Sequence, residues 1–576
     1  MIRYFINYTI SVNFIITLTA IQVSAQNSTR FDVVINELLA DPAPGVGLPN
    51  SEFVELKNVS SSPVNLRNWK ISDGSTTATI SGNFMLDPDS VVIICPASSI
   101  ASFAVFGKAL GVSGFPSLNN DADIISLISP EQKIIHAVGY SEKWFDNSVK
   151  GEGGWSLEMI DAQNPCGGPS NWKPSQDPRG GTPGQKNSIE AFNPDRIPPA
   201  LIRTYPADSF TVVAVFDELV DSSHAATAKF HINNNVGFSV QATPIPPLFN
   251  EVKLTFNSSL ALETTYELKI TGISDCAGNM IGTFNTAKAG RISRCDSLDL
   301  VINEILFNPV TDGSDYVELY NRSNKIVDAS RLYIASRNGS GAISSTKRIS
   351  ETPFLIFPGD HLTITEEPSL IKRQFLVANP EMLLTVSGLP SFPDDEGDVI
   401  IMNELGKIVD DLSYKDEWHF ALVDNKNGVA LERIDPHKNT GDPGNWTSAA
   451  STAGFGTPTS KNSQFKNPNT GALQVSISSR IFSPDNDGID DMCFINFQFA
   501  SPGFVARVMV FDINGRMVRK LAANQNLGQS GFFRWDGMND LGGQCPAGLY
   551  IILTEIFDLN GNSKKFKNPV ALARKF

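Results

Sequence analysis

The chain has 576 residues, of which 46 are basic and 61 acidic, for a formal charge of −15 at pH 7. That balance repels nucleic-acid phosphates and anionic membrane surfaces, so neither is an expected partner. The length predicts about four domains, and 44 Gly with 35 Pro between short apolar runs predict strands and turns rather than helices.

Residues 1–25 read as an export signal. Arg3 is a minimal basic start, an apolar stretch runs from Ile10 to about Val23, and Val23-Ser24-Ala25 offers a cleavage site before Gln26. Asn13, Thr17 and Thr19 interrupt the stretch, which falls short of the roughly 20 apolar residues a spanning helix needs. The mature chain is therefore expected to lack a transmembrane span and to be secreted or displayed on the outer cell surface.

Beyond it, one order of landmarks occurs twice. The first copy reads Val34-Ile35-Asn36-Glu37, Glu52-Phe53-Val54-Glu55-Leu56 with Asn58, Tyr140, Trp144, Leu157-Glu158, Asn171-Trp172, Gly181-Thr182-Pro183 and Lys186-Asn187-Ser188. The second reads Val301-Ile302-Asn303-Glu304, Asp315-Tyr316-Val317-Glu318-Leu319 with Asn321, Tyr414, Trp418, Leu431-Glu432, Asn445-Trp446, Gly456-Thr457-Pro458 and Lys461-Asn462-Ser463. The offset starts at 267, drops to 263 across a short deletion in the second copy's first loop and ends at 275, so one domain is used twice, over 31–188 and 298–463. Inside the first copy, Phe31 to Leu39, Phe53 to Leu56, Val91 to Ile94, Ile124 to Ile128 and Ile134 to Val138 have strand length and are bounded by Pro, Gly, Asn and Asp, the pattern of a β-sandwich. Asn-Trp and Gly-Thr-Pro belong to a closing loop expected to cover one end of it.

Both copies resemble the lamin-tail domain, an immunoglobulin-like sandwich of nuclear lamins and of secreted bacterial surface proteins. V-I-N-E, F-V-E-L or Y-V-E-L, the Asn65 to Gly74 run with its Trp69, and the closing Asn-Trp carry the resemblance. The second copy departs where Asp328 to Ser336 replaces the Trp-containing strand, brings Tyr333, and lacks the Asp-Gly turn.

Arg196-Ile197-Pro198-Pro199 marks a stiff linker. Residues 197–290 then alternate over Val212 to Val220, Val252 to Phe256 and Tyr266 to Ile270 and close on Cys276-Ala-Gly-Asn279, resembling a bacterial immunoglobulin-like domain. Residues 473–576 carry Phe482 to Gly488, Val510 to Arg516, Trp535-Asp536-Gly537 and Pro546 to Tyr550. They resemble the C-terminal sandwich of exported Bacteroidetes proteins, related to flagellar hook-capping domains. That resemblance implies a sorting role read by the type IX export machinery, with the last strand expected over Lys567 to Phe576. The fold class expected is all-β: four tandem sandwiches after the signal.

Six cysteines fall two to a domain, and pairing within domains is the simplest scheme: Cys95 with Cys166, Cys276 with Cys295, Cys493 with Cys545. No C-x-x-C pair or histidine at ligand spacing suggests a transition metal. Asp485, Asp487, Asp490 and Asp491 around Gly488 form a loop that suits calcium, although the EF-hand pattern fails, with Ser483 at its first position and Phe494 at its twelfth. No other cofactor is expected. The six histidines, 136, 224, 231, 361, 419 and 437, show no catalytic spacing, and neither a G-x-S-x-G elbow nor a phosphate-binding Gly-Lys loop is present. Glu37, Glu52 and Glu55, matched by Glu304, Asp315 and Glu318, read as acceptors for backbone amides rather than as acid-base catalysts. The expected function is a non-enzymatic structural or adhesive surface protein that binds surface or matrix components, polysaccharide among them. Calcium- or carbohydrate-binding modules are the main alternative, and a hydrolase using the acidic loops the lesser one.

Overall fold

The computed structural model describes residues 28–145, 147–466 and 473–574. The expected signal segment lies outside them. The described chain is nearly all β, and none of its helices is long and apolar enough to cross a membrane.

Residues 28–193 form a sandwich. Its six-stranded sheet runs Trp172–Pro174, Leu157–Met159, Val33–Leu39, Phe53–Asn58, Val91–Pro96, Ala109–Val112. The facing sheet runs Ile134–Ser141, Ala122–Ile128, Lys70–Ser72, Thr77–Thr79. Val34, Leu56, Trp69, Ile94, Leu127 and Trp172 fill the core between them. Residues 298–463 repeat the same strand order in both sheets, including the parallel edge pair, which is His361–Thr365 with Leu383–Thr385. The departure at Asp328 to Ser336 does not remove the hairpin, because Leu332–Arg337 pairs with Ile343–Arg348. The cross-strand register puts Leu332, not Tyr333, where Trp69 stands, and Leu332 is buried in the second core.

The central strands Val33–Leu39 and Leu300–Leu306 are buried at all seven positions, unlike Tyr266–Thr271, which alternates buried and exposed. A strand buried on both faces needs a cover on the side away from the core. Here the closing segments, 180–190 and 455–465, lie across the outer face as straps.

Residues 197–290 form a smaller sandwich of two four-stranded sheets, Leu201–Pro206, Thr211–Phe216, Glu251–Thr255, Gln241–Pro244 and Gly237–Phe238, Lys229–Ile232, Tyr266–Thr271, Thr286–Ala289. In the last unit a three-stranded sheet packs on a five-stranded one around Phe482, Phe499, Trp535 and Ile552. Its final strand is Ser563–Leu572, so it starts earlier than expected. The Arg574 guanidinium donates to the Cys545 carbonyl and the Gln544 side chain.

The within-domain disulfide scheme is overturned. Cys166 bonds Cys276, with Cα atoms 6.4 Å apart, and Cys95, Cys295, Cys493 and Cys545 are free, buried thiols. Cys95 sits on the outer face of its sheet beside Phe53 and Phe103, whereas Cys166 lies in a loop facing the next sandwich. Cys295 belongs to the core of the second repeat, away from the turn that carries Cys276.

The other junctions are packed as well. Tyr205, Ile292, Ile326, Leu355 and Phe357 cluster between the immunoglobulin-like unit and the second repeat, beside a Lys288–Asp360 ion pair at 2.7 Å. The last unit docks on the second strap. Gln529 N donates to Ser463 O at 2.9 Å, Gln464 Nε2 to Leu527 O at 3.1 Å, and Asn526 Nδ2 to the Ser448 and Ala449 carbonyls at 3.2 Å.

Candidate functional site

The recurring acids line up across three neighbouring strands. Register places Glu37 opposite both Glu55 and Glu158, and Glu304 opposite both Glu318 and Glu432. All six are fully buried. A carboxylate taken from water needs donors, and the straps supply them.

In the first repeat Thr182 N donates to Glu37 Oε1 at 2.8 Å, Thr182 Oγ1 to Glu158 Oε1 at 2.9 Å, Gly184 N to Glu55 Oε2 at 2.6 Å and Ser188 Oγ to Glu158 Oε2 at 2.8 Å. In the second, Thr457 N donates to Glu304 Oε1 at 2.9 Å, Thr457 Oγ1 to Glu432 Oε1 at 3.0 Å, Thr459 N to Glu318 Oε2 at 2.7 Å and Ser463 Oγ to Glu432 Oε2 at 2.9 Å. The glycine of Gly-Thr-Pro is required by contact. A Cβ on Gly181 would stand 2.7 Å from Glu37 Oε1, and one on Gly456 would stand 2.5 Å from the Phe375 ring.

The asparagines close the same network. Asn36 and Asn303 sit at matching β-bulges. Asn36 donates to Glu55 and Asn187, Asn303 to Glu318 and Asn462, and Asn187 and Asn462 return bonds to the bulge carbonyls. Asn171 and Asn445 staple the preceding loop by holding the Asp161 and Asp435 carbonyls.

Burial raises Glu37, Glu55, Glu304, Glu318 and Glu432. Desolvation, followed by the Glu55 and Glu158 charges, pushes Glu37 well above the carboxylate range, and desolvation lifts Glu55 to about 7. Glu318 rises well above its ordinary value, and burial with Glu304 nearby takes Glu432 to about 8. At neutral pH each row therefore holds protons, shared between Glu37 and Glu55 in the first and among Glu304, Glu318 and Glu432 in the second. A substrate would have to displace a strap to reach them. The carboxylates act as anchors for backbone amides.

Glu52 and Asp315 do not join the rows. Glu52 is half-buried and accepts from Leu118 N at 3.1 Å, and Asp315 is lifted to about 7 by burial with Asp394 and Glu366 nearby. The places expected for them are taken by Glu158 and Glu432. The signal was present, since Leu-Glu recurs in both copies.

The buried position under the bulge has diverged. Ile35 N donates to His136 Nδ1 at 2.9 Å, whereas Ile302 N donates to Asp410 Oδ2 at 2.8 Å. Register pairs this change with another, Met159 in one copy and Arg433 in the other, each beside its tryptophan strand. Arg433 is fully buried, 3.3 Å from Asp410. His136 is held neutral, its pKa lowered to about 4 mainly by burial.

Of the expected calcium loop, Asp485, Asp487 and Asp491 gather with ligand oxygens within 4.8 Å of one another. Asp490 is outside the group and accepts from Ser483 N through its carbonyl. Asp491 receives three backbone amides, from Asp485, Asn486 and Gly488. A second acidic group, unmarked in sequence, joins Asp195, Glu218 and Asp275. Burial and the surrounding aspartates raise Glu218 to about 8. A cleft of about 780 Å³ lies between the immunoglobulin-like unit and the second repeat, against Arg203, Lys288, Phe357, His361 and Lys461.

No curated protein matches the chain. Among solved structures it resembles the S-layer protein rSbsC at 11% identity, covering 66% of this chain and 54% of that one with a TM-score of 0.15. It also resembles a DUF4876 family protein from Bacteroides thetaiotaomicron, at 10% identity over 36% and 82% of the two chains with a TM-score of 0.16. A Ca²⁺-stabilized adhesin by which an Antarctic bacterium binds ice is 9% identical, with coverage of 95% and 100% and a TM-score of 0.12. At these TM-scores none bears on function. Residues 26–142 match the family model of the Lamin Tail Domain and residues 195–287 that of the bacterial Ig-like domain, so over these residues the chain carries a lamin tail domain followed by a bacterial Ig-like domain.

Proposed function

We propose that the chain is an exported, non-enzymatic structural or adhesive protein of the cell surface or medium. It is built from four sandwiches over 31–188, 197–290, 298–463 and 473–576, after an export signal at 1–25. The observation that carries this reading is that each junction between neighbouring sandwiches is packed: by a disulfide, by an apolar cluster with an ion pair, and by amides on a strap. Such junctions resist bending and proteolysis, as a stalk or layer subunit requires. The strand order of 298–463 supports a second lamin tail domain. The motifs of 473–576 support a sorting role by which export machinery of the Bacteroidetes type reads the terminal sandwich. Fractionating cells that express the chain with and without 473–576 tests that role: surface display is lost on truncation if the terminal sandwich is the address, and unchanged display refutes it. Surface partners, polysaccharide included, would bind to loops rather than to the acid rows.

A second reading, calcium-dependent binding, is favoured by the Asp485, Asp487 and Asp491 group. Binding to a surface ligand that a chelator abolishes would select it.

A further inference from the structure

Cys166 and Cys276 are 110 residues apart and belong to different sandwiches. Beside their bond the Arg30 guanidinium is stacked between Phe31 and Phe249, 4.6 and 4.5 Å from the ring centres. Leu248 lies over Gly139. The connecting stretch 191–200 has no regular secondary structure, and Arg196 and Ile197 are exposed. The bond thus closes a long loop between two sandwiches.

It is also reachable. A cleft of about 280 Å³ opens against it, lined by Arg30, Asp32, Ser60, Asn164 and both cysteines. Cys166 is buried, at 4% exposure, while Cys276 is part-exposed on a turn whose next residues, Ala277 and Gly278, are exposed. The four free thiols differ in kind. All are buried, and burial pushes Cys95 and Cys493 up to about 11 and Cys295 to about 12, which keeps them protonated and unreactive at neutral pH.

The structure assigns Cys276 Sγ as the thiol-exchange site of this chain, where a low-molecular-weight thiol entering the cleft beside Arg30 opens the Cys166–Cys276 bond and releases the first sandwich from the second. The incoming thiolate attacks Cys276 Sγ, forming a mixed disulfide there, and Cys166 leaves as a thiolate that takes a proton from water. A second thiolate attacks the small-molecule sulfur of the mixed disulfide, yielding the oxidised small disulfide and the Cys276 thiolate, so two thiols supply the two electrons. Arg30 at the cleft wall favours the thiolate and, in an amino-acid or peptide thiol, its carboxylate.

The test uses the full chain with a specific protease site inserted after Arg196, and glutathione as probe. In native protein, alkylatable thiols rise from none to two, and mass spectrometry finds the first glutathione on the Cys276 peptide. After cleavage, the fragment ending at 196 co-elutes with the remainder while oxidised and separates once exchange is complete. A Cys166→Ser, Cys276→Ser double variant, cleaved likewise, separates without glutathione. First adducts on Cys166 or on the buried thiols, no exchange short of unfolding, or fragments that stay together after full exchange would each overturn the assignment.

Discussion

The Tyr316 hydroxyl donates to Glu304 Oε1 at 2.6 Å, and register puts Phe53 at the matching position of the first repeat. There Glu37 Oε2 is buried without a partner. Ser156 Oγ takes the place of the tyrosine hydroxyl on Glu37 Oε1, and Tyr316→Phe should cost the second repeat about 1–1.5 kcal/mol by removing one of the two donors to Glu304 Oε1, Thr457 N being the other. Hydrogen exchange of Leu300–Leu306 in urea measures it; no change in protection would contradict the role given to Tyr316.

Stability should peak at mildly acidic pH. In the folded chain Glu55 keeps its proton to about pH 7 and Glu432 to about 8, against 4.5 for an ordinary glutamate. The folded state binds more protons in that window, so this contribution is full below 4.5 and is lost as pH rises through 7 to 8. His136 and His419 act in the opposite sense: burial holds both at about 4 against 6.5, so stability falls as pH drops from 6.5 towards 4. Calorimetric melting points should therefore decline on both sides, and Glu432→Gln should flatten the alkaline limb. A melting point that climbs steadily into the alkaline range would be incompatible with protonated rows.

Asp410 and Arg433 should behave as a unit. Arg433→Met alone leaves Asp410 buried beside no cation and should cost about 3–5 kcal/mol. Adding Asp410→His rebuilds the His136 and Met159 arrangement of the first repeat and should recover much of the loss. A double-mutant cycle by denaturant unfolding reads the coupling; strictly additive losses would show that the pairs are independent.

Asn526 should hold the terminal sandwich in place. Its amide is bonded to the Ser448 and Ala449 carbonyls of the second repeat. In the first repeat the Lys150 ammonium takes the corresponding Ser175 carbonyl. Asn526→Ala should expose the strap edge, raising amide exchange at 448–464 and broadening the small-angle scattering profile, while exchange within Cys493–Gln498 stays unchanged.

Calcium titration of the full chain, followed calorimetrically, checks the Asp485, Asp487 and Asp491 group. If the loop takes calcium, Asp485→Asn with Asp487→Asn abolishes the heat. Because Asp491 is already bonded to three amides, Asp491→Ala should instead loosen the turn even without calcium.

Much of this protein is legible in its residue order, because strand alternation, turn residues and a motif used twice are local signals. The two repeats, their strands, and the use of Glu37, Glu55, Glu304 and Glu318 as amide acceptors follow from that pattern. Tertiary structure alone decided which distant groups meet. Glu158 and Glu432 complete the rows only because their strands pair beside the bulged one. Asp195, Glu218 and Asp275 converge from three separate segments. Cys166 finds Cys276 across a linker because pairing depends on how the loops of adjoining sandwiches face each other, a geometry set by packing at the junction and not by spacing along the chain.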